Sequence, residues 1–113
     1  MHISFANRKL QKSLSNTAER AKNYGAVCGK IIGRRLDTMA AATTLEDLRY
    51  VPGKFHALTY DRKGELSCHL EEPLRLIFRA THEPLPLDEN DDLIWSQVTQ
   101  VEVLEVIDYH RKK

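Results

Sequence analysis

The chain has 113 residues and a formal net charge of +1. That length suits one domain, spanning residues 1–113, and 42% apolar residues are too many for a disordered chain. No apolar run reaches the roughly 18 residues of a membrane-spanning helix. Met1-His2-Ile3-Ser4-Phe5 also lacks the charged-then-apolar pattern of a secretory leader. The two cysteines, Cys28 and Cys68, lack near partners at metal-ligand spacing and read as free thiols of a reducing cytoplasm.

The near-neutral net charge hides an uneven distribution. Residues 83–92 (EPLPLDENDD) hold five acidic residues and no Lys or Arg. Taking those five from 16 leaves 11 acidic residues against 17 basic ones elsewhere, a balance of +6. The sequence therefore describes a moderately basic domain with one acidic loop, and a positive surface of this kind attracts phosphate backbones.

In chain order, Met1 to Phe5 reads as a short strand. Asn7 is placed to cap a short helix running to about Leu14. A longer helix is predicted over Thr17 to Ala42, because Gly25, Cys28, Ile32, Leu36 and Met39 recur at helical spacing. Gly25 lowers helix propensity within that stripe and marks a kink or a close approach. Thr43 and Glu46 form a capping-box pattern before a helical turn at Leu45 to Leu48. Pro52-Gly53 marks a turn, and from Phe55 the apolar period becomes two. Phe55 to Tyr60 and Leu66 to Leu70 are then strands of a hairpin closed by Asp61-Arg62-Lys63-Gly64. Leu74 to Ala80 follows Pro73, with Arg75, Ile77 and Arg79 on one face. Trp95 to Ile107 is the last strand, apolar on both faces and hence central. The expected class is α+β, with helices packed on one face of an antiparallel sheet.

The chemistry-bearing side chains gather in the strand half. His56 opens the first of those strands, Arg75 and Arg79 share a face, and Asp108-Tyr109-His110 stands where the last strand ends. His56, His69, His82 and His110 match no metal-ligand spacing, and there is no Gly-rich phosphate loop or serine elbow. No metal or other cofactor is expected. His, Arg and Tyr without a metal suit cleavage of RNA through its own 2′-hydroxyl. That reaction needs a base, a cation for the charge that builds on the phosphate, and an acid for the leaving oxygen. Imidazole exchanges protons near neutral pH, the Arg fork fits phosphate oxygens, and Tyr stacks on unpaired bases.

Four blocks carry a resemblance. They are Leu48 to Leu58 (LRYVPGKFHAL), Asp61 to Ser67 (DRKGELS), Pro73 to Phe78 (PLRLIF) and Val101 to His110 (VEVLEVIDYH). In this order they resemble the HigB-type toxins, also called plasmid maintenance system killer proteins, of the RelE superfamily. The likeness spans roughly residues 1–110 and is strongest over residues 48–79 and 95–110.

The resemblance implies a RelE-like fold, with two N-terminal helices on a curved antiparallel sheet. It implies a metal-independent cytoplasmic endoribonuclease that cuts messenger RNA, typically on the ribosome, and a helix-turn-helix antitoxin of the HigA kind as partner. It maps catalytic work onto His56, Arg75, Asp108, Tyr109 and His110. In that scheme His56 or Asp108 is the base and Arg75 meets the transition-state charge. His110 is the acid, and Tyr109 orients the scissile nucleotide. Thr59 departs from members that carry a Lys three residues after the first His. Lys54, Arg62, Lys63 and Arg79 are the candidates to supply positive charge to RNA in its place. Two other readings share the fold: a non-nuclease toxin of the ParE type, and a degenerate toxin kept as a co-repressor.

Overall fold

The computed structural model describes residues 1–59, 62 and 64–108. Strand β1 (His2–Phe5) leads into helix α1 (Arg8–Ser13), then α2 (Thr17–Tyr24) and α3 (Ala26–Ala41). Asn7 and Asn16 start α1 and α2 with the same device: each side chain accepts a hydrogen bond from the backbone N–H three residues on, of Leu10 and Glu19. The single long helix expected over Thr17 to Ala42 is instead two. Gly25, at φ +90° and ψ 159°, stands between them in a conformation that only glycine adopts cheaply. The stripe predicted on that helix does face the core: Cys28, Ile32, Leu36 and Met39 of α3 are all buried. Gly29 lets α2 fold back onto α3, since a Cβ there would lie 3.0 Å from backbone atoms of Arg20 and Ala21.

A 3-10 turn at Leu45–Leu48 follows, capped by Thr44 and Asp47, one residue on from the box read in the sequence. The remaining strands are β2 (His56–Ala57), β3 (Glu65–His69), β4 (Leu74–Ala80) and β5 (Gln100–Asp108). Trp95–Gln97, expected to begin the last strand, forms a 3-10 turn, with the Arg49 guanidinium 4.0 Å over the Trp95 ring. Among the described residues no helix is long and apolar enough to cross a membrane.

The five strands lie in the order β1-β5-β4-β3-β2. The fold is α+β, but the sheet is mixed and not purely antiparallel as expected. β1 pairs with β5 in parallel, His2 opposite Gln100 and Phe5 opposite Val103. A parallel neighbour needs a crossover, and the helices lie in the chain between these two strands. β5 is interior, as its two-sided apolar pattern requires. The helix-facing side of the sheet holds Leu66, Cys68, Leu76, Phe78, Val101 and Val103, all buried in the core.

One irregularity in β5 decides which face its end presents. Ile77 pairs with Glu105, but Phe78 pairs with Val103, so Leu104 is an extra residue in a β-bulge. Without the bulge, strict alternation would put Asp108 on the same face as Glu102. With it, Val101, Val103 and Val106 all face the helices, and Asp108 comes opposite Leu74 on that same side.

Candidate active site

The sheet face turned away from the helices collects polar side chains by register. His56 is opposite Ser67, which is opposite Ile77; His69 is opposite Arg75, which is opposite Ile107. His56 and Arg75, the two predicted site residues in mid-chain, therefore share one face and one end of the sheet. They do so through two residues that the sequence did not single out for this role, Ser67 and His69. The rings of His56 and His69 meet edge to face, with centroids 5.9 Å apart.

Each imidazole is held by defined partners. His56 Nδ1 lies 2.7 Å from the Lys54 carbonyl oxygen, and its Nε2 lies 3.3 Å from Ser67 Oγ. A carbonyl only accepts, so Nδ1 carries the proton, and Nε2 of the neutral ring accepts from the serine hydroxyl. Lys54 presents that carbonyl from a left-handed conformation, φ +50°, directly after Gly53 at φ +123°. Gly53 has no room for a side chain, because a Cβ would stand 2.8 Å from Arg35 Nε. Arg35 Nε in turn donates to the His69 carbonyl at 2.9 Å, and the His69 amide donates to the Gly53 carbonyl at 2.7 Å. The Pro52-Gly53 turn thus fixes both histidine-bearing strands to α3.

His69 Nδ1 is 3.2 Å from Glu72 Oε1, and Arg75 Nη2 donates to Glu72 Oε2 at 3.2 Å. Glu72 bridges the imidazole and the guanidinium from the short β3–β4 connection. Burial, then the Arg75 charge, pushes the His69 imidazole below its ordinary range, and together they outweigh the opposite pull of Glu72. The ring is therefore mostly neutral at pH 7. Its Nδ1–H donates to the carboxylate, and Nε2 keeps its lone pair. The Arg75 hydrogen bond leads in holding Glu72 below the usual carboxylate range. Arg75 also donates from Nη1 to the Leu74 carbonyl at 3.0 Å, which fixes the guanidinium against the sheet.

The neighbouring nucleophiles are ruled out by burial. Ser67 is 1% exposed, so its hydroxyl positions His56 and cannot reach a substrate. Cys68 points to the core, and burial pushes its thiol up to about 12, so it is not a thiolate at neutral pH. Among the described residues, no three His, Cys, Asp or Glu side chains converge to hold a metal ion.

The other predicted residues fall elsewhere. Asp108 ends β5 beside Leu74, at the same end of the sheet as Arg75 but on the opposite face, so it does not join His56 and Arg75; the bulge at Leu104 is the reason. Arg62 lies across the outer face, donating to Glu65 at 2.7 Å and to Glu105 at 2.5 Å, and is 17% exposed. Arg79 is tied to Glu102 at 2.9 Å. Both positive charges are offset where they stand. Lys54 is exposed next to His56. Lys63, Tyr109 and His110 lie outside the described residues.

Ser67 and Glu72 carry no signal of their own in the sequence, and His69 shows only as one of several scattered histidines. The register of β3 against β2 and β4 is what joins them to His56 and Arg75. Compared with models of known protein families and with curated proteins, the chain matches none.

Proposed function

We propose that this chain is a metal-independent endoribonuclease, a toxin of a type II toxin–antitoxin module that resembles the HigB-type members of the RelE superfamily. The observation that carries the reading is the convergence of His56, His69 and Arg75 on one face of the sheet. Two imidazoles and a guanidinium are the groups that metal-free cleavage through a 2′-hydroxyl requires.

In this reading His69, held neutral, accepts the 2′-OH proton at Nε2. The 2′-oxygen attacks phosphorus, and the bond to the 5′-oxygen breaks, leaving a 2′,3′-cyclic phosphate. Arg75 meets the added charge on the phosphate oxygens. His56, open to water, protonates the leaving 5′-oxygen from Nε2, exchanging its 3.3 Å contact with Ser67 Oγ for the substrate. Asp108, on the other face, takes no part as base. Glu72 is 68% exposed, so its carboxylate has room to swing aside when a phosphate takes its place on Arg75. Exposed Lys54 supplies further positive charge beside His56, where Thr59 carries none. Messenger RNA on the cytoplasmic ribosome is the proposed substrate, and a helix-turn-helix antitoxin of the HigA kind the proposed partner.

The purified chain with a 5′-labelled RNA, in EDTA and with or without translating ribosomes, tests this. Internal cuts ending in 2′,3′-cyclic phosphate are expected, and they should disappear in a His56→Ala, Arg75→Ala double variant. Equal cleavage by both proteins would overturn the reading. Thr59 and the engagement of Arg75 by Glu72 favour a second reading, a catalytically idle co-repressor. Its signature is tight operator binding together with the antitoxin and no RNA cleavage by the chain alone.

A further inference from the structure

A groove of about 580 Å³ opens between the β2–β3 hairpin and the acidic stretch, within the roughly 300–1,000 Å³ range of ligand sites. Ala57, Leu58 and Leu66 line it from the hairpin, and Leu85, Leu87 and Leu93 from residues 83–93. That stretch is not the featureless loop its composition predicts. Leu87 and Leu93 form an antiparallel bridge, the Ile94 amide donates to the Pro86 carbonyl at 2.7 Å, and Asp88 Oδ1 accepts from the Asn90 and Asp92 amides. The turn is thus built by its own hydrogen bonds, and it holds Leu85 and Leu87 open to water, 41% and 43% exposed.

Asp91 and Asp92 stand at the groove itself, and residues 83–92 carry five acidic side chains with no Lys or Arg. A monomer gains nothing by holding leucines in water beneath concentrated negative charge. An apolar partner segment would recover their burial, and basic flanks would answer the charge. We propose that this groove docks a short amphipathic segment of a protein partner, with leucine-sized side chains set between lysines or arginines. The proposal does not depend on the nuclease reading. The groove is nevertheless coupled to that site through covalent neighbours: Ala57 and Leu66 adjoin His56 and Ser67 on the same strands.

The test is an NMR titration of the ¹⁵N-labelled full chain with a synthetic peptide alternating lysine and leucine. Amide shifts should concentrate at residues 57–59, 66 and 85–93, and the affinity should fall as salt rises. A Leu85→Ser, Leu87→Ser variant should lose at least tenfold in affinity with its other amide peaks unmoved, both side chains being exposed. Should that variant unfold, Asp91→Asn with Asp92→Asn takes its place and should weaken binding and flatten the salt dependence. Equal shifts from a lysine–serine peptide would overturn the proposal, leaving only diffuse charge attraction. So would absent shifts, shifts centred elsewhere, or leucine-dependent dimerisation of the chain without peptide. None of these results touches RNA cleavage, so the two readings fail separately.

Discussion

His56 and His69 sit edge to face on adjacent strands, 5.9 Å between ring centroids, and their environments differ. His69 is kept neutral by burial and by Arg75, whereas His56 stands in solvent. A pair with unlike surroundings is suited to unlike proton-transfer roles. His56→Gln and His69→Gln should each slow RNA cleavage by about 10²–10⁴-fold. The pH profile separates them. The limb that rises with pH should lie below the ordinary imidazole range and vanish in His69→Gln. If that limb survives in His69→Gln, His69 is not the base.

Glu72 holds the Arg75 guanidinium at 3.2 Å, and in the proposed reading it would compete there with the RNA phosphate. Glu72→Gln removes that competing charge. KM should fall about 3–10-fold, a change of roughly 0.6–1.4 kcal/mol. The logarithmic salt dependence of RNA binding should steepen by about one phosphate contact. Glu72 also raises the His69 pKa, so the rising limb of the pH profile should move lower still. Binding isotherms at several salt concentrations decide this; an unchanged KM and slope would show that Arg75 does not contact RNA.

The same two residues set a pH dependence of stability. His69 has a folded pKa below its ordinary 6.5, so between the two values the unfolded chain binds more protons and stability falls as pH drops. Glu72 has a folded pKa below its ordinary 4.5; its contribution is complete above that value and is lost as pH falls through the folded one. Both therefore act in one direction. Urea unfolding should give a lower stability at pH 5.5 than at pH 7.5, and His69→Gln should shrink the difference. An unchanged difference in that variant would place its origin elsewhere.

Local features of this chain were readable from residues, and non-local ones were not. The α3 stripe, the Asn7 cap and β4 follow from periodicities and capping chemistry within a few positions. The Gly25 break was visible as a weak point, but propensity alone does not distinguish a kink from a full stop. The parallel pairing of β1 with β5 joins positions about 98 residues apart, His2 with Gln100, and no local pattern encodes it. For the site, His56 and Arg75 were legible as residue types, while His69 and Glu72 became partners only through strand register. The bulge at Leu104 had the largest consequence. One added residue changed the face of the rest of β5 up to Asp108.

Two glycines test the packing of the helices by different mechanisms. At Gly25 nothing lies within 4 Å of an added Cβ, so Gly25→Ala meets only its φ of +90° and should cost about 1–3 kcal/mol. Gly29 has ordinary helical geometry but faces the backbone of Arg20 and Ala21 at 3.0 Å. Backbone cannot rotate away as a side-chain tip can, so Gly29→Ala should cost about 1–3 kcal/mol of crowding, offset by about 1 kcal/mol of gained helix propensity. Gly29→Val adds more bulk and gains less propensity, so it should be the most damaging of the three. Urea midpoints measured at one pH rank them. A Gly29→Ala variant as stable as the wild type would mean that α2 and α3 separate freely, and that their close contact is not what Gly29 is there to permit.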